Sequence, residues 1–198
     1  GSGSWYAQKG ETRMNLPNRL TLLRMVLVPF LVLFLLCDAI PFSYLWALLV
    51  FVAASLTDFF DGKIARSRDL VTNFGKFLDP MADKVLVLSA MICLIPDFCS
   101  PVVVIIVAAR EFMVSSLRLV AAAQGIVLAA GWSGKAKTAS QMVSIVAVLL
   151  MCSITQITGL ELPTVLVSQI LMWITAALAV YSGVEYLVKN WKLVNPKQ

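Results

Sequence analysis

The stretch SYLWALLVFVAASLTDFFDG, residues 43–62, joins an apolar run long enough to cross a membrane to two aspartates, Asp58 and Asp61. A transmembrane helix needs about 20 consecutive residues that are mostly apolar. Comparable runs lie at about 20–37, 77–95, 101–123, 137–153 and 163–187. The sequence therefore predicts an all-α integral membrane bundle of six transmembrane helices.

The overall composition favours the same class. Of 198 residues, 60% are hydrophobic and 14% are Asp, Glu, Lys or Arg, whereas soluble domains contain about 45–50% apolar and about 25% charged residues. The apolar excess is gathered in runs, as expected where each backbone segment must satisfy its own hydrogen bonds in lipid. We expect a single domain over residues 14–198.

The segment before the first run, Asn15-Leu16-Pro17-Asn18, is predicted to form a short N-terminal interfacial turn or surface helix. Proline breaks an upstream helix and asparagine is a common N-cap, so we expect Asn18 to cap the first long helix. Residues 1–13 are polar, and we interpret them as added sequence ahead of a native start at Met14.

Basic residues mark one side of the predicted bundle. The connections near 38–42, 96–100 and 154–162 contain no Lys or Arg. The other connections and the two chain ends contain Arg19, Arg66, Arg68, Lys76, Lys135, Lys137, Lys189, Lys192 and Lys197. Because cytoplasmic loops carry excess basic residues, we expect a multi-pass protein of the cytoplasmic membrane with both termini inside. The net charge of +5 then suits lipid headgroups and phosphate-bearing substrates rather than nucleic acid.

Four aspartates lie where the second predicted span ends and the third begins. Asp58 and Asp61 form one pair, and Asp79 and Asp83 form a second; residues three or four apart share a helix face. A carboxylate at membrane depth costs about 2.5–3.5 kcal/mol on insertion scales, so we expect cations to compensate. Oxygen ligands without imidazole or thiolate select hard cations. We predict two divalent ions, Mg²⁺ by preference and Mn²⁺ as the alternative.

Three small residues, Gly62, Ala65 and Gly75, each lie four positions from one of these aspartates and share its helix face. Such a face leaves room for a flat or bulky ligand, and Arg66 is well placed to bind a phosphate. Two other interpretations stay open at this point: small residues often mark helix packing, and intramembrane acids often line an ion path.

The full pattern D-x-x-D-G-x-x-A-R-x8-G-x-x-x-D-x-x-x-D, complete in residues 58–83, resembles the signature of the CDP-alcohol phosphotransferase family. The resemblance implies six transmembrane helices, a homodimer, and an alcohol that displaces cytidine monophosphate (CMP) from a CDP-activated substrate. It also implies that Asp58, Asp61 and Asp79 bind the two metal ions, and that Asp83 is both a ligand and the catalytic base.

The same resemblance implies a binding site for the CDP-linked lipid. Its expected residues are Asn18, Thr21, Gly62, Ala65, Arg66 and Gly75.

Because no histidine or cysteine lies near the aspartates, direct displacement is favoured over a covalent enzyme intermediate. The absence of histidine and of a CxxC pair also disfavours a zinc site. A disulfide between Cys93 and Cys99 stays open.

Four further basic residues bear on the acceptor alcohol. Arg110 and Arg118 lie within the fourth predicted span, and Lys135 and Lys137 lie at the start of the fifth. Arginines in a lipid-embedded span need an ion pair or an anionic ligand, and a helix N-terminus with lysines favours phosphate. We predict that these four residues bind an acceptor phosphate. Structural ion pairs for the arginines and membrane anchoring for the lysines are the alternatives.

Three segments, at 15–24, 109–112 and 134–138, are similar to those of a bacterial branch of the family, the phosphatidylglycerolphosphate synthases. That similarity implies CDP-diacylglycerol and sn-glycerol 3-phosphate as substrates. A cardiolipin synthase of the same family, whose acceptor is phosphatidylglycerol, is the nearest alternative. A cation transporter is the alternative from another class, although it would not need Gly62, Ala65, Arg66 and Gly75 at these intervals.

Overall fold

The computed structural model of the chain describes residues 16–68, 73–129 and 131–194, and describes their side chains except at 16–19, 58–68, 73–80, 192 and 194. Every regular element in these ranges is helical, which confirms the predicted all-α class. In chain order the helices are α1 (Leu16–Leu36), α2 (Ser43–Arg68), α3 (Asn73–Cys93), α4 (Pro101–Ala123), α5 (Trp132–Thr158), α6 (Thr164–Lys189) and the short α7 (Trp191–Val194).

The six long helices correspond to the six apolar runs, but they differ in how apolar they are. Among the described residues, α5 and α6 are long and apolar enough to cross a membrane, and shorter apolar stretches occupy Leu20–Leu36 and Ser43–Thr57. Six membrane crossings therefore stay a prediction. The charged residues that interrupt the other helices lie toward the ends of α1, α2 and α3 and at the middle and in the second half of α4.

Several polar side chains are buried inside the bundle, and many large apolar side chains are exposed on its outer surface. Arg24 and Thr175 are fully buried, whereas Ile105 is 66% exposed and Leu119 is 74% exposed. In a soluble protein a fully buried arginine and so many exposed large apolar side chains are unusual, whereas a bundle surrounded by lipid shows both. The apolar helices and this apolar exterior indicate a membrane protein.

The centre of the bundle is filled by apolar side chains from all six long helices, and α4 contributes Val103 and Val107. Leu31, Phe51, Met91, Ile145 and Met172 come from α1, α2, α3, α5 and α6, and each is fully buried. Because lipid is as apolar as these side chains, close packing rather than removal from water holds them together. Hydroxyl contacts add to the packing of α5 on α6.

The hydroxyl contacts between α5 and α6 centre on one threonine. Thr175 Oγ1 lies 3.1 Å from the hydroxyl oxygens of both Ser140 and Ser144. Interhelical hydrogen bonds of this kind fix the register of neighbouring membrane helices. They hold the start of α5 beside the end of α6, where both helices contribute to the cavity described below.

Contacts at one end of the bundle, together with the short connections between helices, show that successive helices alternate in direction. At one end, the backbone N–H of Tyr44 donates to Gln156 at 3.3 Å, and the Gln169 amide donates to the Asp97 carbonyl at 3.2 Å. These residues come from the start of α2, the end of α5, the start of α6 and the α3–α4 connection. The opposite end of the bundle therefore contains the starts of α1, α3 and α5 and the ends of α2, α4 and α6.

The start of α1 differs from the prediction. The helix begins at Leu16, so Asn18 lies within its first turn and the prediction that Asn18 is the N-cap is wrong. Pro17 is tolerated there because the first N–H groups of a helix have no intrahelical partner. The residues expected to form a separate turn or surface helix are therefore the first turn of α1 from Leu16 onward.

Two other boundaries bear on the predicted site. Helix α5 begins at Trp132, five residues before the predicted span, so Lys135 and Lys137 lie in its first two turns. Cys93 and Cys99 are free thiols, and burial raises the pKa of Cys99, in the α3–α4 connection, to about 11. The disulfide that the sequence left open is not formed.

Candidate functional site

A cavity of about 950 Å³ opens among α3, α4, α5 and α6 at the end of the bundle that carries the basic residues. Its charged lining comprises Asp83, Lys84, Arg110, Glu111, Arg118, Lys135 and Lys137. The structure therefore brings the predicted catalytic aspartate into one cavity with all four residues predicted to bind the acceptor phosphate. Five of these lining residues are cationic and two are anionic, which favours an anionic occupant.

Asp83 is held by an arginine from another helix. Arg24 of α1 donates from Nη1 to Asp83 Oδ1, and the Arg24 side chain is fully buried while that of Asp83 is 44% exposed. The pair fixes the carboxylate against α1 and leaves part of it open to the cavity. Thr21, predicted to bind the CDP-lipid, is 1% exposed and lies one turn before Arg24 on α1.

The other three aspartates are placed by their helices. Asp58 and Asp61 belong to the last three turns of α2, and Asp79 belongs to the second turn of α3, which packs against α2. Their side chains, with those of Asn18, Gly62, Ala65, Arg66 and Gly75, lie outside the described residues. The backbone thus carries all four aspartates to the end of the bundle where Asp83 lines the cavity.

The predicted metal-binding set consists of four carboxylates. Among the described side chains, no three acidic, cysteine or histidine groups lie close enough to hold an ion, and Asp83 is the one predicted ligand whose side chain is described. Carboxylate oxygens without sulfur or imidazole fit a hard divalent cation in chemistry. The predicted set and its placement on two packed helices are therefore compatible with such an ion.

Glu111 of α4 joins two of the predicted phosphate ligands. Its Oε1 lies 2.9 Å from Arg110 Nη1 and 2.6 Å from Lys137 Nζ, across the gap between α4 and α5. Lys137 also donates to Gln141 Oε1 at 2.6 Å and is only 2% exposed. A buried ammonium requires such partners because its desolvation is costly.

The two predicted lysines are therefore not equivalent. Lys137 is enclosed by α4 and α5, so anchoring at a membrane surface does not describe its position. Lys135 is exposed and lines the same cavity. For Lys135, phosphate binding and membrane anchoring both fit the geometry.

Arg118 is placed by an aromatic residue of α6. Its Nε donates to the Tyr186 hydroxyl at 3.2 Å, and its guanidinium carbon lies 5.7 Å from the centre of that ring. This geometry combines a hydrogen bond with a cation–π contact. Tyr186 also lines the cavity, and no periodic signal separates it from the apolar residues around it.

Lys84 is a second lining residue that the sequence analysis did not identify. Its Nζ donates to Ser115 Oγ of α4, so its long side chain reaches across to the cavity wall. Its position immediately after Asp83 was a usable signal, since a lysine beside a predicted catalytic acid is a candidate phosphate ligand. Adjacent helix residues point about 100° apart, however, and sequence spacing alone does not place them in one site.

Comparison with known proteins places this arrangement in context. Residues 14–181 match the family model described as CDP-alcohol phosphatidyltransferase. The chain is 41% identical over 194 residues to the Bacillus subtilis (strain 168) protein named CDP-diacylglycerol–glycerol-3-phosphate 3-phosphatidyltransferase, covering 90% of this chain and 96% of that protein.

Two other relatives carry the same name. The Rickettsia bellii (strain RML369-C) protein is 38% identical over 173 residues, covering 87% of this chain and 93% of the relative. The Yersinia enterocolitica serotype O:8 protein is 38% identical over 191 residues, covering 91% and 97%. Since the family model spans most of the chain and includes the aspartate motif and the cavity-lining residues of α3, α4 and α5, the chain belongs to the CDP-alcohol phosphatidyltransferase family.

Proposed function

We propose that this enzyme transfers the phosphatidyl group of CDP-diacylglycerol to sn-glycerol 3-phosphate, giving phosphatidylglycerol phosphate and CMP. The observation that carries the proposal is the shared cavity, in which Asp83 faces five cationic side chains. The names of the relatives support the same substrates, and the chain matches each relative over nearly its full length.

In the proposed reaction, Asp83 takes the proton from the acceptor hydroxyl as that oxygen attacks the phosphorus bound to the diacylglycerol. A new oxygen–phosphorus bond forms, and the bond between this phosphorus and the CMP oxygen breaks. The partly exposed carboxylate, fixed on one side by Arg24, suits a base that must stay open to substrate. The electron pair of the broken bond leaves with CMP.

Members of this family use divalent metal ions. We propose that Asp58, Asp61, Asp79 and Asp83 hold two, with Mg²⁺ preferred. When bound, such ions neutralise the charge of the pyrophosphate and stabilise the leaving oxygen. The carboxylate chemistry of the set, and its position at the cavity end of α2 and α3, support this assignment.

The acceptor phosphate is proposed to bind to Arg110, Arg118, Lys135 and Lys137. Their common cavity has more positive than negative groups, and a phosphate monoester supplies the matching charge. Neutral alcohols such as serine or inositol would leave the excess of positive over negative groups in this cavity unmatched. Lys84 extends the set because it lines the same wall.

The CDP-linked lipid is proposed to lie against α1, α2 and α3, at Asn18, Thr21, Gly62, Ala65, Arg66 and Gly75. Of these, Thr21 is the one whose side chain is described, and it is buried on the face of α1 that carries Arg24. That placement supports a position beside Asp83. We also propose that the enzyme is a homodimer in the cytoplasmic membrane with its active site on the cytoplasmic side.

The two alternative functions, a cation transporter and a cardiolipin synthase, are affected differently by these observations. Membership of a transferase family sets aside the cation transporter. A cardiolipin synthase also uses a phosphate-bearing acceptor, so the cations alone do not exclude phosphatidylglycerol. The relatives named above favour glycerol 3-phosphate.

The test is an acceptor panel. Purified protein with Mg²⁺ and CDP-diacylglycerol is incubated separately with glycerol 3-phosphate, phosphatidylglycerol, serine and inositol, and CMP release is measured. We expect release with glycerol 3-phosphate and a phosphatidylglycerol phosphate product on lipid chromatography. Preferential release with phosphatidylglycerol would assign the chain to the cardiolipin synthases, and release with serine or inositol would contradict a phosphate-bearing acceptor.

A further inference from the structure

We propose that Glu111 is a positioning residue, which holds Arg110 and Lys137 in the orientation that binds the acceptor phosphate. The inference rests on the proposed function, because it assigns a role to an anion within the phosphate site. An acidic side chain in a site for an anion needs a reason, since it opposes the ligand electrostatically. The contacts of Glu111 supply that reason.

One side chain that Glu111 holds is Lys137. This lysine is 2% exposed, and its ammonium is bonded to Glu111 Oε1 and Gln141 Oε1, each at 2.6 Å. Gln141 is fixed in turn, because its amide contacts the sulfur of Met91 at 3.0 Å. An ammonium has three donors, so two fixed acceptors determine the direction of the third.

The other side chain that Glu111 holds is Arg110. Its Nη1 donates to Glu111 at 2.9 Å, and its Nε donates to Ser182 of α6 at 3.1 Å. Within the described ranges Nη2 makes no hydrogen bond to the protein. Arg110 lines the cavity, and the two bonds orient its planar guanidinium, which presents its remaining donors to the cavity as a fixed fork.

Two glycines leave the space through which Arg110 passes. A Cβ on Gly183 would lie 3.2 Å from Arg110 Cγ, and a Cβ on Gly134 would lie 3.1 Å from Arg110 Nη2. Both distances are shorter than most contacts that Cβ atoms make in proteins, so a side chain at either position would push the arginine. The slot between α5 and α6 therefore fixes the same orientation that Glu111 fixes from α4.

The bonds to Arg110 and Lys137 limit how strongly the Glu111 carboxylate repels an anionic ligand. Glu111 Oε1 accepts from two cations at once, so its charge is largely compensated before a ligand arrives. Without it, Lys137 would keep a single uncharged partner in a buried position, and Arg110 would lose one of two restraints. Loss of orientation should therefore outweigh the relief of repulsion.

The first test is Glu111→Gln, which keeps the shape and removes the charge. Steady-state CMP release is measured while each substrate is varied in turn. We expect the KM for glycerol 3-phosphate to rise about tenfold, the effect of weakening one hydrogen bond to a charged group. The KM for CDP-diacylglycerol and kcat at saturating acceptor should change less than about twofold, within ordinary mutational variation. Glu161→Gln, an exposed glutamate between α5 and α6 at the opposite end, is the matched control.

Three results would overturn the proposal. A lower KM for glycerol 3-phosphate would mean that Glu111 acts as a competing anion. Equal rises in both KM values, with a lower melting temperature in detergent, would mean a purely structural role. An unchanged KM would mean that Glu111 does not orient the phosphate ligands.

A second variant tests the same orientation from another helix, in case Glu111→Gln folds poorly. Gly134→Ala places a methyl group against Arg110 Nη2, whereas Gly131→Ala meets only Ser133 Oγ at 3.7 Å. We expect Gly134→Ala to raise the KM for glycerol 3-phosphate and Gly131→Ala to leave it unchanged. If both substitutions have the same effect, the slot does not position Arg110.

Different results would contradict the proposed function and the positioning role of Glu111. If wild-type protein releases no CMP with glycerol 3-phosphate but does so with another acceptor, the substrate assignment is wrong. If the wild type uses glycerol 3-phosphate and the Glu111 and Gly134 variants match it, the substrate assignment stands and the positioning role is wrong.

Discussion

Arg24 of α1 and Asp83 of α3 form an ion pair at the end of the bundle where the basic cavity opens. The two residues are 59 positions apart in the sequence, so the pair depends on the packing of α1 against α3. It ties the proposed base to a helix that is also proposed to contact the CDP-lipid. Orientation of Asp83 therefore depends on α1.

Arg24→Gln should lower kcat by about 10- to 100-fold, because a displacement of about 1 Å in a reacting group has effects of that size. Asp83 is 44% exposed, so it should stay solvated and the protein should stay folded. The measurement is CMP release at saturating substrates, with Lys189→Gln, an exposed position on α6, as control. A wild-type kcat in Arg24→Gln would show that the pair does not orient the base.

Lys137→Ala and Lys135→Ala should both raise the KM for glycerol 3-phosphate more than the KM for CDP-diacylglycerol. The buried Lys137 should give about a tenfold effect, as for a hydrogen bond between charged groups. The exposed Lys135 should give about a two- to fivefold effect, because solvent screens it. The measurement is steady-state CMP release with each substrate varied in turn, which gives the two KM values separately for each variant. Equal changes in both KM values would indicate membrane anchoring instead.

Tyr186→Phe should raise the KM for glycerol 3-phosphate about threefold, since it removes one neutral hydrogen-bond partner of Arg118 and keeps the ring. Tyr186→Leu should have a larger effect because the cation–π contact is also lost. Tyr181→Phe, 64% exposed on the same helix, is the matched control. The account of Arg118 would be contradicted if Tyr186→Leu left acceptor kinetics unchanged.

Removal of divalent ions with a chelator should stop CMP release, and added Mg²⁺ should restore it. The physical reason is that the pyrophosphate charge and the carboxylates of α2 and α3 would both lose their compensation. Activity is followed before chelation, after chelation and after Mg²⁺ is returned. Undiminished turnover in metal-stripped protein would rule out the proposed metal site.

The sequence predicted the helices well because their signal is local. Six apolar runs mark six long helices, and charge between the runs marks the end at which the site lies. The N-terminal boundary was wrong because Pro17 is compatible with a first helical turn, so a proline there does not separate Asn18 from α1. Hydrophobic periodicity does not distinguish a proline that breaks an upstream helix from a proline in the first turn of a new helix.

Four of the residues predicted to bind the acceptor phosphate could be selected by residue type alone. Arg110, Arg118, Lys135 and Lys137 are charged residues next to or within apolar runs, and all four line the cavity. Tyr186 was missed because an aromatic residue in an apolar helix is ordinary. The bonds of Glu111 to Arg110 and Lys137 depend on how α4 lies against α5, which local sequence does not encode.

The most direct test of the account is CMP release by Asp83→Asn, an isosteric change that removes the proposed base. We predict normal folding and a loss of turnover of at least about 10²–10⁴-fold, the usual contribution of general base catalysis. Asp97→Asn, an exposed aspartate in the α3–α4 connection at the opposite end, should retain activity. Turnover by Asp83→Asn near the wild-type rate would contradict the central claim that this carboxylate activates the acceptor.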